Sequence, residues 1–427
     1  MSIAHSQFRT FERQLDALRP ELGKDCDLPA RIENLLRRER AAGSRDRRLY
    51  RELHYTWLRH MPWLSSLSGD ALATGLATLC AETPATHAFR LTFLPSSVPD
   101  IVAFISGDPS ELLPSWLRAE CPDAFEQPLL SSLNSRASLW ARLQASAESL
   151  PHIFSELDAL GWTYKRSDIL PGALRIEGEH DLTRLESYQR GLLEIQDIGS
   201  QLILASQDLP QGGRWLDACA GAGGKTLQLS WLLGPTAHIE ASDIRLFALE
   251  NLVHRAWRAG IRTSGLSLPK HPPQKGGAAP LSLPEPTPAI GAAEISIVRN
   301  ESGLYDGILI DAPCSGSGTW RRAPHLKWSN NPESIRSMAA IQAGLLDKHA
   351  PFVRPGGLLV YATCSLCRTE NEDQVTRFLV AHPEFSPVAS RLPSAGQAPQ
   401  SGPGLRILPH LHDSDAFYVC TLRRAQA

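Results

Sequence analysis

The chain has 427 residues, 42% hydrophobic and 21% charged, with a formal net charge of −2; it is long enough for two or three folded domains, and too balanced for a disordered chain or a globally basic nucleic-acid binder. Eight cysteines over this length are too sparse for a disulfide framework, and no stretch approaches the roughly 18 apolar residues of a membrane span. The opening run Met1-Ser-Ile-Ala-His-Ser-Gln lacks the apolar segment of a secretion signal, so a cytoplasmic chain with free thiols is expected.

In the first segment Phe8, Phe11, Leu15, Leu18 and Leu22 recur at helical spacing, with Pro20 expected to break the pattern before its end. The run from Arg45 to Arg59 puts Leu49, Leu53 and Trp57 on one stripe, as in a helix that buries one face. Residues 31–60 hold nine arginines against Glu33, Glu39, Asp46 and Glu52, a local balance of +5. Such a patch fits phosphate contacts or a solvated helical face, and composition does not choose between them. Between about residues 84 and 150 turn signals alternate with short helical runs. A helical stretch with Ile153, Leu157 and Leu160 then precedes Ala173-Leu-Arg-Ile-Glu and Gln196-Asp-Ile-Gly-Ser-Gln, which reads as a small α/β module.

From Gly212 the rhythm becomes strand, loop, helix, repeated. Arg214 to Asp217 is a candidate strand, Ala220 to Lys225 a glycine loop and Thr226 to Leu233 a helix; His238 to Asp243 is the next strand, followed by a helix through Leu249 and Ala256. This alternation predicts a doubly wound, Rossmann-like parallel sheet with helices on both faces. Residues 265–293, with seven prolines and four glycines, read as an insertion without regular structure. The third strand is therefore either Thr263 to Leu268 or Glu294 to Val298. Tyr305 to Asp311 reads as a further strand, and Asn331-Pro-Glu as the capped start of an amphipathic helix. Arg354-Pro-Gly-Gly ends that helix and a strand through Tyr361 follows. The expected division is a helical domain over 1–145, a small α/β module over 146–209 and the large α/β domain over 210–427.

Two cysteines stand just past apolar strands, Cys314 in Ile308-Leu-Ile-Asp-Ala-Pro-Cys-Ser-Gly and Cys364 in Leu358-Leu-Val-Tyr-Ala-Thr-Cys-Ser. In one parallel sheet both thiols would emerge at the carboxyl edge, where open α/β folds bind ligands, which suggests covalent chemistry on an electrophilic carbon. Cys364 and Cys367 form a C-x-x-C, but no second pair or histidine cluster accompanies it, so no metal is expected. The glycine loop departs from both common nucleotide motifs. A P-loop would place its first glycine where Cys219 stands, which argues against an ATPase, and a dinucleotide fingerprint counted from Gly221 and Gly223 would need glycine at Thr226. What remains is a glycine turn with an acid, Asp243, at the tip of the next strand about 20 residues on, a pattern that fits either an adenosine-type cofactor or a tight structural turn with an exposed Asp.

The runs Leu216-Asp-Ala-Cys-Ala-Gly-Ala-Gly-Gly-Lys-Thr, Asp311-Ala-Pro-Cys-Ser-Gly-Ser-Gly-Thr-Trp-Arg-Arg, Pro324-His-Leu-Lys-Trp and Tyr361-Ala-Thr-Cys-Ser with Glu370-Asn-Glu resemble the successive motifs of the Nop/Sun family of S-adenosylmethionine-dependent RNA cytosine-5 methyltransferases. The resemblance covers about residues 150–425, including Ser414-Asp-Ala-Phe-Tyr, and the stretch around Arg45 to Arg59 is similar to the NusB-like domain of the bacterial ribosomal RNA members. It implies that Cys364 is the nucleophile that adds to cytosine carbon 6. Cys314 would assist removal of the carbon 5 proton, and Asp311 would contact ring nitrogen 3. It further implies that Cys219, Ala220, Gly221, Ala222, Gly223, Gly224, Lys225, Asp243 and Asp311 hold S-adenosyl-L-methionine, although Lys225 could instead cap or pair with a carboxylate. Arg321, Arg322 and Lys327 would contact RNA phosphates or solvate a loop. The implied substrate is small-subunit ribosomal RNA, with transfer RNA or a non-catalytic assembly role as alternatives, and the implied protein is a monomer with no metal and no membrane partner. Three departures stand out: Ala222 where many members have proline, His325 in place of an acid, and only Asn300 near the third strand end where an aspartate often reads adenine.

Overall fold

The computed structural model describes residues 2–24, 27–39, 42–94, 107–144, 149–266, 288–392 and 402–426. Most of the expected Pro/Gly-rich insertion, residues 267–287, lies outside the described residues. The chain forms two units, one from Met1–Arg136 with Ser315–Ile335 and one from Ala137–Cys314 with Arg336–Ala427.

The first unit contains helices Ile3–Leu18, Leu28–Arg38, Ser44–Arg59, Gly69–Leu79 and His87–Phe93. Their apolar stripes build its core, in which Phe8, Phe11 and Leu15 are buried in one cluster with Leu49, Leu53 and Trp57. Burial of each such side chain contributes roughly 1.5–3 kcal/mol, so the stripes are core and not binding surface. Pro20 sits in the short turn Arg19–Glu21 that ends the first helix. Of the arginine-rich stretch, Arg31, Arg37, Arg38, Arg45 and Arg48 are exposed while Arg59 is buried. The segment Ser315–Ile335 belongs to this unit although the sequence reading assigned it to the large α/β domain. Its anchors are aromatic: Trp320 is fully buried edge-on to Trp116, with centroids 6.3 Å apart, and Trp328 Nε1 donates to Leu58 O at 2.7 Å.

The second unit carries two sheets. Strands β1 (Leu139–Leu143), β2 (Tyr164–Arg166), β3 (Ala173–Ile176) and β4 (Leu193–Ile195) form an antiparallel sheet ordered β2-β3-β1-β4. β1 lies inside the stretch 1–145 expected to be helical; Trp140 and Ala141 pair with Arg175 and Leu174 across the ladder, and that pairing, invisible in local sequence, draws the segment into the small sheet. Helix Ile198–Ala205, capped by the Asp197 carboxylate on Gly199 N at 2.8 Å, leads into the main sheet.

The main sheet comprises β5 (Gly213–Asp217), β6 (Ala237–Ala241), β7 (Thr263–Ser264), β8 (Glu294–Ile297), β9 (Tyr305–Asp311), β10 (Val353–Thr363), β11 (Phe385–Val388), β12 (Leu405–Ile407) and β13 (Phe417–Arg424). Its order is β11-β13-β10-β9-β5-β6-β8-β7, with β12 paired to β13. β10 through β7 run parallel, and β13 runs antiparallel to β10. Both readings of the third strand are strands: Glu294–Ile297 neighbours β6, and Thr263–Ser264 pairs on its outer side.

Both faces of this sheet are covered. On β9 and β10, Leu309 and Val360 pack into one cluster with Trp215, while Ile308, Ile310, Leu359 and Tyr361 pack into another. Double burial is why these strands read as continuous apolar runs rather than alternating ones. Gly307 is required by its neighbour, since a Cβ there would lie 2.3 Å from the Trp215 ring. Among the described residues no helix is long and apolar enough to cross a membrane.

Candidate active site

Four parallel strands set the site. Ala241 lies opposite Asp217, Asp217 opposite Leu309, and Asp311 opposite Ala362, so β6, β5, β9 and β10 end on the same edge of the sheet. Just past those ends come Asp243, the loop Ala218 to Gly223, Cys314 and Cys364, in that lateral order.

The glycine loop is shaped by two left-handed residues, Gly221 at φ 52° and Gly223 at φ 86°. A Cβ on Gly223 would lie 2.6 Å from Leu252 Cγ, so the loop packs tightly on one side, whereas a Cβ on Gly221 would meet nothing closer than Arg245 at 3.5 Å. Asp243 fastens the loop by accepting from Gly221 N at 2.8 Å, and it accepts from Arg245 through backbone and guanidinium at 2.8 and 3.0 Å. Burial alone would raise the Asp243 pKa, but these hydrogen bonds and the Arg245 charge hold it below its ordinary value. Next to it Ile244 is fully exposed, an apolar side chain beside a carboxylate at the carboxyl edge of the sheet.

Two acids lie deeper in the site. Asp217 is 1% exposed; its Oδ2 accepts from Thr226 Oγ1 at 2.7 Å. Burial pushes its carboxyl up to about 7, with the nearby Asp311 adding to the shift. Sequence reading did not single out Asp217, although an acid ending a buried strand was the available signal. Asp311 accepts from Lys225 Nζ at 2.6 Å, so the lysine pairs with a carboxylate, and its ammonium also lies 5.7 Å from the Phe417 ring. The pair ties the glycine loop's helix to the end of β9.

The thiols meet at the same edge of the sheet. Cys314 Sγ and Cys364 Sγ are 3.3 Å apart and both residues are partly exposed. Cys219 is different in kind: burial, reinforced by Asp217, Asp311 and Asp243, raises its thiol far above the ordinary value and keeps it protonated. The turn after Cys364 is held from inside, with Thr363 Oγ1 donating to Asn371 Oδ1 at 2.5 Å, Asn371 Nδ2 donating to Ser365 O at 2.9 Å and Tyr361 Oη donating to Glu370 O at 2.6 Å. Glu370 and Asn371 therefore hold the cysteine turn from inside. Cys367, the other half of the C-x-x-C, is fully buried, and among the described residues no group of three or more His, Cys, Asp or Glu could hold a metal ion.

Residues 288–423 match the family described as 16S rRNA methyltransferase RsmB/F. A curated protein from Bacillus subtilis (strain 168), "Probable ribosomal RNA small subunit methyltransferase B", is 28% identical over 73% of this chain and 66% of its own length. The "Ribosomal RNA small subunit methyltransferase B" of Yersinia pestis bv. Antiqua (strain Angola) is 30% identical over 74% of this chain and 68% of its own. The chain belongs to the RsmB/F family. Its matches span about two thirds of these relatives' length. A solved structure, PH0851, has the same fold, with a TM-score of 0.70 and 21% identity over 99% of this chain and 100% of that one. The family is that of S-adenosylmethionine-dependent RNA methyltransferases.

In this RsmB/F member two of the three basic residues after Cys314 are interior and not surface cations. Lys327 is 0% exposed with its Nζ donating to Asn134 Oδ1, and burial drives its pKa well down, helped by Arg59. Arg321 is buried as well, donating to Arg136 O at 2.9 Å while its own carbonyl accepts from Arg59 at 2.8 Å. Neither side chain is presented to a phosphate. Both act as internal fasteners of the Ser315–Ile335 segment, and only Arg322 of the three is exposed. His325 is buried where the family often has an acid, and Asn300 is exposed past the end of β8.

Proposed function

We propose that this protein methylates carbon 5 of a cytosine in 16S ribosomal RNA through a covalent adduct to Cys364. The observation that carries this reading is the pair of thiols 3.3 Å apart, just past the ends of β9 and β10, on the sheet edge that also carries Asp311 and the glycine loop. One buried thiol after a strand is ordinary packing; two in contact, each next to a carboxyl-end turn, are suited to successive steps on one ring.

The cofactor-side residues fit S-adenosyl-L-methionine. The open side of Gly221 leaves room for close backbone approach, Asp243 offers a carboxylate for ribose hydroxyls, and the exposed Ile244 gives an apolar surface for a base. When bound, S-adenosyl-L-methionine supplies an electrophilic methyl group. Cytosine carbon 5 is a poor nucleophile, so the protein's task is to activate it.

The Cys364 thiolate adds to carbon 6, forming a carbon–sulfur bond and moving electron density to carbon 5. A proton held between the Asp311 carboxyl and ring nitrogen 3 stabilises the ring in its adduct form, and Lys225 orients that carboxyl. Once carbon 5 carries the methyl group it also still carries its proton. Cys314, acting as a thiolate, accepts that proton and becomes a thiol, the carbon–sulfur bond breaks with its electron pair leaving on Cys364 as the thiolate, and the aromatic ring is restored. The exposed Arg322 and the arginines on Leu28–Arg38 and Ser44–Arg59 are the groups best suited to hold RNA phosphates.

The test is transfer of labelled methyl from S-adenosyl-L-methionine to 16S ribosomal RNA transcripts and, separately, to bulk transfer RNA, with bisulfite sequencing of the product. Conversion-resistant cytosine at a single position of the 16S RNA is expected. Labelling of transfer RNA alone would replace the substrate, and cofactor binding with no labelled RNA would favour a non-catalytic assembly factor.

A further inference from the structure

Helix Pro332–His349 carries a glutamine, Gln342, that is 0% exposed and lies behind both cysteine turns. Its Nε2 donates to Pro313 O at 2.9 Å and to Glu370 Oε1 at 3.1 Å. Pro313 immediately precedes Cys314. Glu370, also fully buried, accepts at its other carboxyl oxygen from Ser365 Oγ, and Ser365 immediately follows Cys364. Pro313 O, Gln342, Glu370 and Ser365 thus form a continuous chain of hydrogen bonds between the residue before one thiol and the residue after the other.

The paired register of β9 and β10 runs as far as Asp311 and Ala362. Ala312 N donates to Ala362 O at 2.8 Å, and each cysteine lies two residues beyond its own partner in that bond. Beyond that point the separation of the thiols depends on how the two turns are held. The amide of Gln342 has two hydrogens, and both are used, one on each turn. A carboxylate of the same shape would have none to give, and it would face the buried carboxyl of Glu370.

We propose that Gln342 is a positioning residue that sets the distance between the Cys314 and Cys364 thiols. This rests on the reading of the two thiols as the reacting pair, and it assigns a role to a side chain that touches neither substrate nor cofactor. Displacement of either sulfur by about 1 Å costs on the order of 100-fold in a reaction that needs both groups on one ring. Gln342 acts on that distance and not on the cofactor loop, so turnover and cofactor affinity should separate.

The thiol distance can be read without RNA. Diamide takes two electrons and two protons from a thiol pair, becoming the corresponding hydrazine as the sulfurs join, and the reaction is fastest for sulfurs already in contact. The rate of the Cys314–Cys364 disulfide, followed by peptide mass spectrometry, is compared in the full-length wild type, Gln342→Met and Gln342→Glu, with the S-adenosyl-L-methionine dissociation constant measured on each. Both variants should form this disulfide about five-fold or more slowly than the wild type, from loss of the buried hydrogen bonds, with cofactor affinity within about two-fold. Disulfide formation at the wild-type rate in either folded variant would overturn the proposal, as would a loss of cofactor binding that parallels the slowing. Should Gln342→Met fail to fold, Gln342→Glu, nearly isosteric with the native residue, decides; failure of both to fold would make Gln342 a residue of the fold and refute the positioning role. Because the assay contains no RNA, failure of the RNA methylation reading leaves its outcome standing.

Discussion

Glu194 on β4 grips Arg255 through its guanidinium at 2.9 and 3.1 Å, and Arg255 in turn donates to the carbonyl oxygen of Ala222 at 2.7 Å. The small antiparallel sheet therefore reaches the glycine loop through one ion pair. Glu194 is 1% exposed and also accepts from Arg258, so it anchors two cations of helix Leu246–Arg258.

From this clamp follow two different losses. Arg255→Met frees the Ala222 carbonyl but leaves Glu194 paired with Arg258, so the main effect should fall on the loop: about ten-fold weaker S-adenosyl-L-methionine binding, the equivalent of one lost charged hydrogen bond. Glu194→Ala leaves Arg255 and Arg258 without their buried carboxylate and should cost about 3–5 kcal/mol of stability. Calorimetric titration and denaturant unfolding of both variants separate the two effects. Equal cofactor affinity in Arg255→Met and the wild type would remove the clamp from the binding site.

A second consequence comes from the division of labour between the thiols, which lie 3.3 Å apart. If Cys364 attacks and Cys314 removes the proton, Cys314→Ala should stall after methyl transfer with RNA still bonded to Cys364. Incubated with 16S ribosomal RNA and S-adenosyl-L-methionine, this variant should give a slowly migrating band on a denaturing gel. Cys314→Ala/Cys364→Ala should give none. An adduct that survives in the double variant would assign the nucleophile elsewhere, and sustained methylation by Cys364→Ala would refute the covalent mechanism.

The contrast between these two regions explains what could be read from residues alone. Tyr305–Asp311 and the Leu358 to Thr363 part of β10 were legible because a sheet buried on both faces leaves an uninterrupted apolar run, and Asn331 was legible as a cap, its side chain accepting from Glu333 N and Ser334 N at 3.0 Å. Cys314 meets Cys364, and Lys225 meets Asp311, because parallel strands bring their carboxyl ends to one edge, a consequence of topology that spacing implies. Glu194, Arg255 and Gln342 were not legible. Each works through a partner far along the chain, and a charged or amide side chain carries no local mark of burial. For the same reason Arg321 and Lys327 read as surface cations when both are interior. The two-residue strand Thr263–Ser264 is too short for any period to register.

The burial of Lys327 has a measurable counterpart in RNA binding. A phosphate contact contributes to the slope of log affinity against log salt by about 0.7 per contact for single-stranded RNA. Arg322→Ala should flatten that slope by about this amount if the exposed guanidinium meets a phosphate. Lys327→Met should leave the slope unchanged, because its Nζ is spent on Asn134 inside the first unit. Titrations of 16S ribosomal RNA at several salt concentrations check both; a flattened slope in Lys327→Met would return that lysine to the RNA surface.

Acid sensitivity should begin in the helical unit. His54 is 1% exposed, its Nε2 is 2.9 Å from Gln14 Oε1, and its ring lies 4.9 Å from that of Phe11. Burial lowers its pKa from 6.5 to about 3, and burial likewise lowers that of His60 to about 4. In the unfolded chain both would titrate near 6.5, so below that pH the unfolded state binds protons that the folded state refuses, and stability falls as pH falls. The stabilisation is complete above about pH 6.5 and is lost progressively down to the folded values. Between pH 7 and 5 one such histidine accounts for about 2 kcal/mol. His54→Gln keeps an amide partner for Gln14 and removes the titration. Hydrogen-exchange protection in Ile3–Leu18 and Ser44–Arg59 should therefore drop more steeply with acidification in the wild type than in His54→Gln, by about that amount, even though the variant starts lower at pH 7 for want of the ring against Phe11. Parallel losses in the two proteins would place the acid-sensitive group outside this core.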